Sequence, residues 1–348
     1  LERAVRGQFV LEEDEPLQIY ATGIRNAYDL VWHSNGHLYV PTNGTAGGAN
    51  SPGVTANPDG TFTRTAAPGI PAFSEVHGLD YTDVCLNRRI DGKPYTGGTV
   101  PPIANHPTQQ DHLYRVEEGG YYGHPNPERC EWVLHEGNDP ANPPQYAGSG
   151  GSKYPSGVLA DPNYRGVEWN LGFNKSPNGT IEYQSETFGG QLKGRIVITR
   201  FSNNNDLIFL QPDSATGTIL GEQTSVGITG VPNSTMSGVD GFNDPLEVVE
   251  DPRNGNLYVN QYNRGGNDQK LFLLRVPEEH RAPSLGASAE ELVFSTVVNT
   301  TSASKSVTVT NQSQDEIALE QAVTGAHAGE FTVTGAATTR QAGESTTL

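Results

Sequence analysis

The sequence predicts an all-β protein, and three observations predict it. Turn-forming residues are abundant, with 41 Gly and 24 Pro among 348 residues. A strand–turn–strand unit recurs along the chain. Few windows carry the apolar spacing of an amphipathic helix; the runs 14–20 and 287–292 are too short or too mixed to form one.

The recurring unit is clearest at residues 30–40, where Leu30-Val31-Trp32 and Leu38-Tyr39-Val40 flank Asn35-Gly36. Residues 248–259 repeat it around Asn254-Gly255, and residues 174–183 form a weaker copy around Asn178-Gly179. Each Asn-Gly pair is expected to take positive φ at both central turn positions, as a tight hairpin requires. Further strands are expected at 112–116, 194–199, 207–210 and 271–276. Repeated hairpins separated by long insertions suggest the blades of a β-propeller over residues 1–280; one large β-sandwich is the alternative.

Residues 46–110 read as a long Gly-, Pro-, Asn- and Thr-rich loop insertion, and 281–288 as a linker. Beyond it, 291–294, 305–311 and 330–333 read as strands, the middle one alternating with period two. That pattern fits the start of an immunoglobulin-like β-sandwich over 289–348. Both chain ends are expected to be cut, because Leu1 opens on a charged segment and Leu348 ends inside a strand-like one.

The chain carries 22 basic and 40 acidic residues, a net charge of −18. Such a surface repels nucleic-acid phosphates and anionic lipid, and suits neutral sugars, cations or simple solubility. No run of 18 apolar residues is present, so no membrane insertion is expected. Cys85 and Cys130, if paired, close a loop worth roughly 4 kcal/mol and fit a secreted protein; two free thiols or a zinc site are the alternatives.

Two motifs carry a family resemblance. Gly23-Ile24-Arg25-Asn26, followed by Leu30-Val31-Trp32 and Asn35-Gly36-His37-Leu38-Tyr39, resembles a blade motif of the glucose/sorbosone dehydrogenases. Gly119-Gly120-Tyr121-Tyr122-Gly123-His124-Pro125 resembles that family's Gly-Gly-x-Tyr-Gly-x-Pro signature. Segments further on resemble a secreted multidomain branch, and the tail is similar to choice-of-anchor or ASH-type Ig-like modules, which implies a cell-surface tether. The resemblance implies a six-bladed propeller, extracellular, periplasmic or on the cell surface, that oxidises a sugar with pyrroloquinoline quinone (PQQ) and Ca2+.

By the same resemblance Arg25 and Asn26 hold the quinone, with Arg200 as a further cofactor contact. The backbone carbonyls of Gly44 and Thr45 lie by the Ca2+. The family's catalytic His lies in an earlier blade; residues 1–22 contain none, so this fragment is expected to be inactive. The alternative is a non-catalytic propeller that binds carbohydrate or another surface protein.

The remaining candidates have competing structural readings. Arg25 could pair with Asp29 and Asn26 could cap a turn. His33 and His37 flank the turn and read as exposed or satisfied hairpin histidines. His77, His106, His112 and His124 are a possible metal cluster without regular ligand spacing. Tyr121, Tyr122 and Trp132 could stack on a sugar or pack between blades. Residues 240–244 and 251–254 read as turns rather than Ca2+ loops.

Overall fold

The computed structural model describes residues 18–69, 78–145, 148–223, 241–276, 285–312, 316–335 and 339–348. His77, Asp240 and half of the expected linker lie outside them. Among the described residues strand accounts for 32% and helix for 4%, so the fold is all-β, with several small antiparallel sheets and none of them closed into a barrel.

Three sheets follow one another in chain order. The first comprises β1 (Val31–Trp32), β2 (Leu38–Thr42), β5 (Gln110–Val116) and β6 (Trp169–Phe173) in the order β1-β2-β5-β6. The second comprises β7 (Pro177–Tyr183), β8 (Arg195–Arg200), β9 (Asp206–Pro212) and β10 (Ile219–Gln223), each pairing with the next. The third comprises β11 (Pro245–Glu250), β12 (Leu257–Gln261) and β13 (Lys270–Leu274). The first strands pack on one another, β7 contacting both β1 and β11.

The second sheet is buried on both faces, which explains why Ile196-Val197-Ile198 and Leu207-Ile208-Phe209-Leu210 do not alternate with polar residues. Ile196, Ile198, Ile208 and Leu210 pack with Tyr39, Leu113 and Leu171 of the first sheet. Val197, Leu207 and Phe209 point the other way and pack with Val248, Leu257 and Val259 of the third.

The expected strands at 112–116, 194–199, 207–210 and 271–276 correspond to β5, β8, β9 and β13. The Asn-Gly expectation needs correction. Asn35-Gly36 and Asn254-Gly255 do close hairpins, but only the glycines take positive φ (85° and 68°). Asn178-Gly179 makes no turn, because it lies inside β7 at an irregularity in the pairing with β8. Glycine is required there for close approach: a Cβ on Gly179 would sit 2.7 Å from Cα of Glu247 on β11.

The stretch 46–110 is not a loop. It contains a hairpin, β3 (Gly53–Ala56) with β4 (Phe62–Thr65), and a short helix α1 (Tyr81–Asn87). The Asp80 side chain caps α1 by accepting from the Thr82 N–H. Val54, Tyr81, Val84, Tyr95, Val100 and Ile103 form a core with Trp132, Leu134 and Tyr154 from beyond the expected boundary. Cys85 and Cys130 are disulfide-bonded inside it, which decides between the readings left open by the sequence.

In the tail, β14 (Leu285–Ala287), β15 (Thr308–Asn311) and β18 (Ser345–Thr347) form one sheet. β16 (Ile317–Ala318) pairs with β17 (Thr339–Arg340). The expected strand at 305–311 shortens to β15; 291–294 and 330–333 form none, and β14 begins inside the expected linker.

Candidate functional site

One end of the three sheets is tied together by polar contacts. The buried Asp111, at the start of β5, accepts backbone N–H groups from Gly44 at 2.7 Å, Lys175 at 2.6 Å and Ser176 at 2.8 Å. Ser176 bonds Ser202 at 2.9 Å, and the Asn205 side chain accepts the Asp244 N–H at 3.1 Å. Loops entering β5, β7, β9 and β11 therefore gather at this end, together with those leaving β2 and β8.

Arg25 sits here and donates Nη1 to the Gly44 carbonyl at 2.6 Å. It does not pair with Asp29, whose carboxylate accepts the Thr180 N–H instead. The next residue, Thr45, is buried and places Oγ1 3.3 Å from Nδ1 of His124.

Thr45 and His124 help line a cavity of about 280 Å3, together with Asn50, Ser51, Arg64 and His106 and with Ala49, Pro52, Pro125, Pro127 and Leu134. Ser51 Oγ lies 2.7 Å from His106 Nε2. The Asn50 amide donates to the Pro68 carbonyl and accepts the Asn105 N–H, so the segment is braced from both sides. The disulfide braces the opposite wall, since Cys130 directly follows the 3-10 turn Pro127–Arg129 that begins at a lining proline.

Burial sets the charge state. Desolvation pushes the His106 imidazole down to about 4, with a smaller contribution from Lys153. It pushes His124 down to about 4 as well, reinforced by the positive charge of Arg25 and by His106. Burial alone brings His112 to about 4, and His135 is driven well below the ordinary histidine range by burial and then by His112, His124 and His106. Near neutral pH all four imidazoles are uncharged and able both to donate and to accept hydrogen bonds.

The other sequence-derived candidates are placed as follows. Asn26 is exposed at φ 49°, and its carbonyl accepts the Asn43 amide. Arg200 has no contact with Arg25; it is buried in a bidentate pair with Asp206 (2.7 and 2.5 Å) and reaches Glu222 at 3.3 Å. Tyr121, Tyr122 and Trp132 are fully buried and cannot stack on a sugar. Their polar atoms contact Val133 O, Arg115 O and Cys130 Sγ. His33 is buried against the Gly194 carbonyl and Glu182, as a hairpin histidine should be. Asp251 braces its own turn through Arg253.

The implied cofactor set does not fit this arrangement. The Gly44 carbonyl already accepts a guanidinium, and a Ca2+ on the same oxygen would meet a like charge. The Thr45 carbonyl accepts the Gln109 N–H at 2.8 Å. Both guanidiniums assigned to the quinone are committed to protein oxygens. Among the described residues no group of three or more His, Cys, Asp or Glu is arranged to hold a metal ion.

Sequence reasoning missed Asn50, Ser51 and Arg64 as site residues, because they lie in the stretch read as a loop insertion, which singled out no side chain among them. It noticed His106 and His124 only as metal candidates. The available signal was position: His124 stands directly after the Gly-Gly-Tyr-Tyr-Gly run, whose buried tyrosines fix it beside Thr45. No family model, curated protein or solved structure matches this chain.

Proposed function

We propose that this chain is a propeller-type recognition module that binds a small sugar ring in the cavity between Thr45, Ser51, His106 and His124. The cavity itself carries the reading. It combines two hydroxyls, an amide, the Arg64 guanidinium and two uncharged imidazoles with a proline- and leucine-lined wall. Alternating hydroxyls and C–H faces of a pyranose match such a lining, and neutral imidazoles serve as either donor or acceptor. At about 280 Å3 the space suits one ring rather than a bulky cofactor.

The propeller reading is supported by a contact that repeats from sheet to sheet. Ser34, after β1, donates to Glu182 on β7; Ser185, after β7, donates to Glu250 on β11. The tail is read as an Ig-like tether. A disulfide in the recognition unit fits an extracellular or periplasmic setting.

A differential thermal scan with a panel of aldoses, polyols and uronic acids tests the reading. Stabilisation by at least one sugar, lost in Thr45→Val, is the expected outcome; no shift with any sugar counts against it.

A further inference from the structure

A second feature at the same end of the sheets involves none of the cavity residues. Phe201 follows β8 and Tyr262 follows β12; their rings stack with centroids 6.3 Å apart and planes 27° from parallel. The Arg264 guanidinium lies 5.3 Å from the Phe201 ring. It is tethered in turn, since Asp244 accepts the Arg264 N–H at 2.6 Å and faces its guanidinium at 3.7 Å. The Tyr262 backbone is fixed as well, its N–H donating to the Asp244 carbonyl at 3.0 Å.

Tyr262 nevertheless remains 48% exposed. An aromatic ring held this firmly while open to solvent is a platform already arranged before binding, so little side-chain entropy is lost when something stacks on it. Its surroundings are amide-rich: Asn203, Asn204 and Asn243 are exposed and Asn263 follows in sequence, with Asn204 Oδ1 accepting from the Lys175 ammonium at 2.6 Å and the Asn263 amide donating to the Asp268 carbonyl at 3.4 Å. Asn204, Asn205 and Asn263 hold positive φ (90°, 51° and 51°), so these loops have a defined shape.

We infer that Tyr262, backed by Phe201, is a docking platform for a pyranose unit of a neutral polysaccharide. Aromatic faces take the C–H face of a sugar, and amides take its hydroxyls in either direction. The net charge of −18 disfavours anionic polymers. The inference deepens the sugar reading, since it makes the ligand a polymer with a contact outside the single-ring cavity.

The test is native affinity electrophoresis of the full chain through gels containing soluble β-glucan, galactomannan, xyloglucan or mannan. At least one polymer should retard the wild type, Tyr262→Phe should keep that retardation, and Tyr262→Ala should weaken it by about tenfold. Retardation unchanged in Tyr262→Ala, or absent with every polymer, overturns the platform. Monosaccharide calorimetry on the same proteins separates the two readings. If the platform alone is wrong, the cavity still binds a sugar. If the cavity alone is wrong, no monosaccharide binds while Tyr262-dependent retardation persists.

Discussion

Ser34 donates its backbone N–H to the Glu182 carboxylate at 2.7 Å and its hydroxyl at 2.5 Å, and Ser185 makes the same pair of contacts with Glu250. In each case the serine follows the first strand of one sheet and the glutamate sits on the first strand of the next. Each glutamate thus links its sheet to the preceding one through charge-assisted bonds, two from Ser34 to Glu182 and, with the Gln184 N–H at 2.8 Å, three to Glu250. Glu182→Ala and Glu250→Ala should each cost about 1–3 kcal/mol of unfolding free energy by urea titration. If only one of them destabilises, the two contacts are not structural equivalents.

Glu131 makes stability fall as pH rises through neutrality. Its side chain is fully buried and accepts the Thr22 hydroxyl at 2.8 Å, while Oε2 has no partner. Burial, with the nearby Asp161 carboxylate, pushes its carboxyl up to about 8. The folded state therefore holds a proton that the unfolded chain releases near the ordinary glutamate value. Stability attributable to this group declines as pH rises from about 4.5 to about 8, then levels off. Glu131→Gln should flatten that limb and raise the melting temperature at pH 8.5.

The histidines act in the opposite direction. His106, His112 and His124 are held uncharged down to about 4, whereas the unfolded chain takes up these protons near 6.5. Their contribution is complete above pH 6.5 and is lost as pH falls toward 4. Thermal scans across that interval should show a falling melting temperature. Replacing His112 with Phe should reduce the slope, and an unchanged slope would mean that the imidazole is not buried as described.

Cys85 and Cys130 close 45 residues of chain around the core that carries one wall of the cavity. The Cys85→Ala/Cys130→Ala double variant should lose roughly 4 kcal/mol. Hydrogen exchange should show the loss concentrated in 53–65, 81–103 and 127–134, with β8 and β9 little affected.

Much of the β-framework could be read from the sequence, because β5, β8, β9 and β13 each contain a short apolar run, clearest in Ile196-Val197-Ile198 and Leu207-Ile208-Phe209-Leu210. Legibility failed where a contact distant in sequence decides local structure. Asn178-Gly179 has the composition of a turn, yet it lies in a strand because β11 passes against Gly179. Residues 46–110 read as a loop insertion because the core they build is completed by Trp132, Leu134 and Tyr154. Helix α1 was not anticipated: Asp80 precedes Tyr81, Val84 and Cys85 at helical spacing, but seven residues give too weak a periodic signal to stand out. Little of the site was visible: the motifs singled out Arg25 and Gly44 as cofactor contacts, neither lines the cavity, and their mutual bond and the burial of Arg200 with Asp206 depend on tertiary geometry.

The most direct test of the account is isothermal calorimetry with hexoses and pentoses on the wild type and on Ala49→Phe, which fills the cavity from its lining. Saturable one-to-one binding of at least one sugar by the wild type, abolished in a folded Ala49→Phe, is the result expected. Equal heats from the two proteins, or no binding by the wild type across the panel, would contradict it.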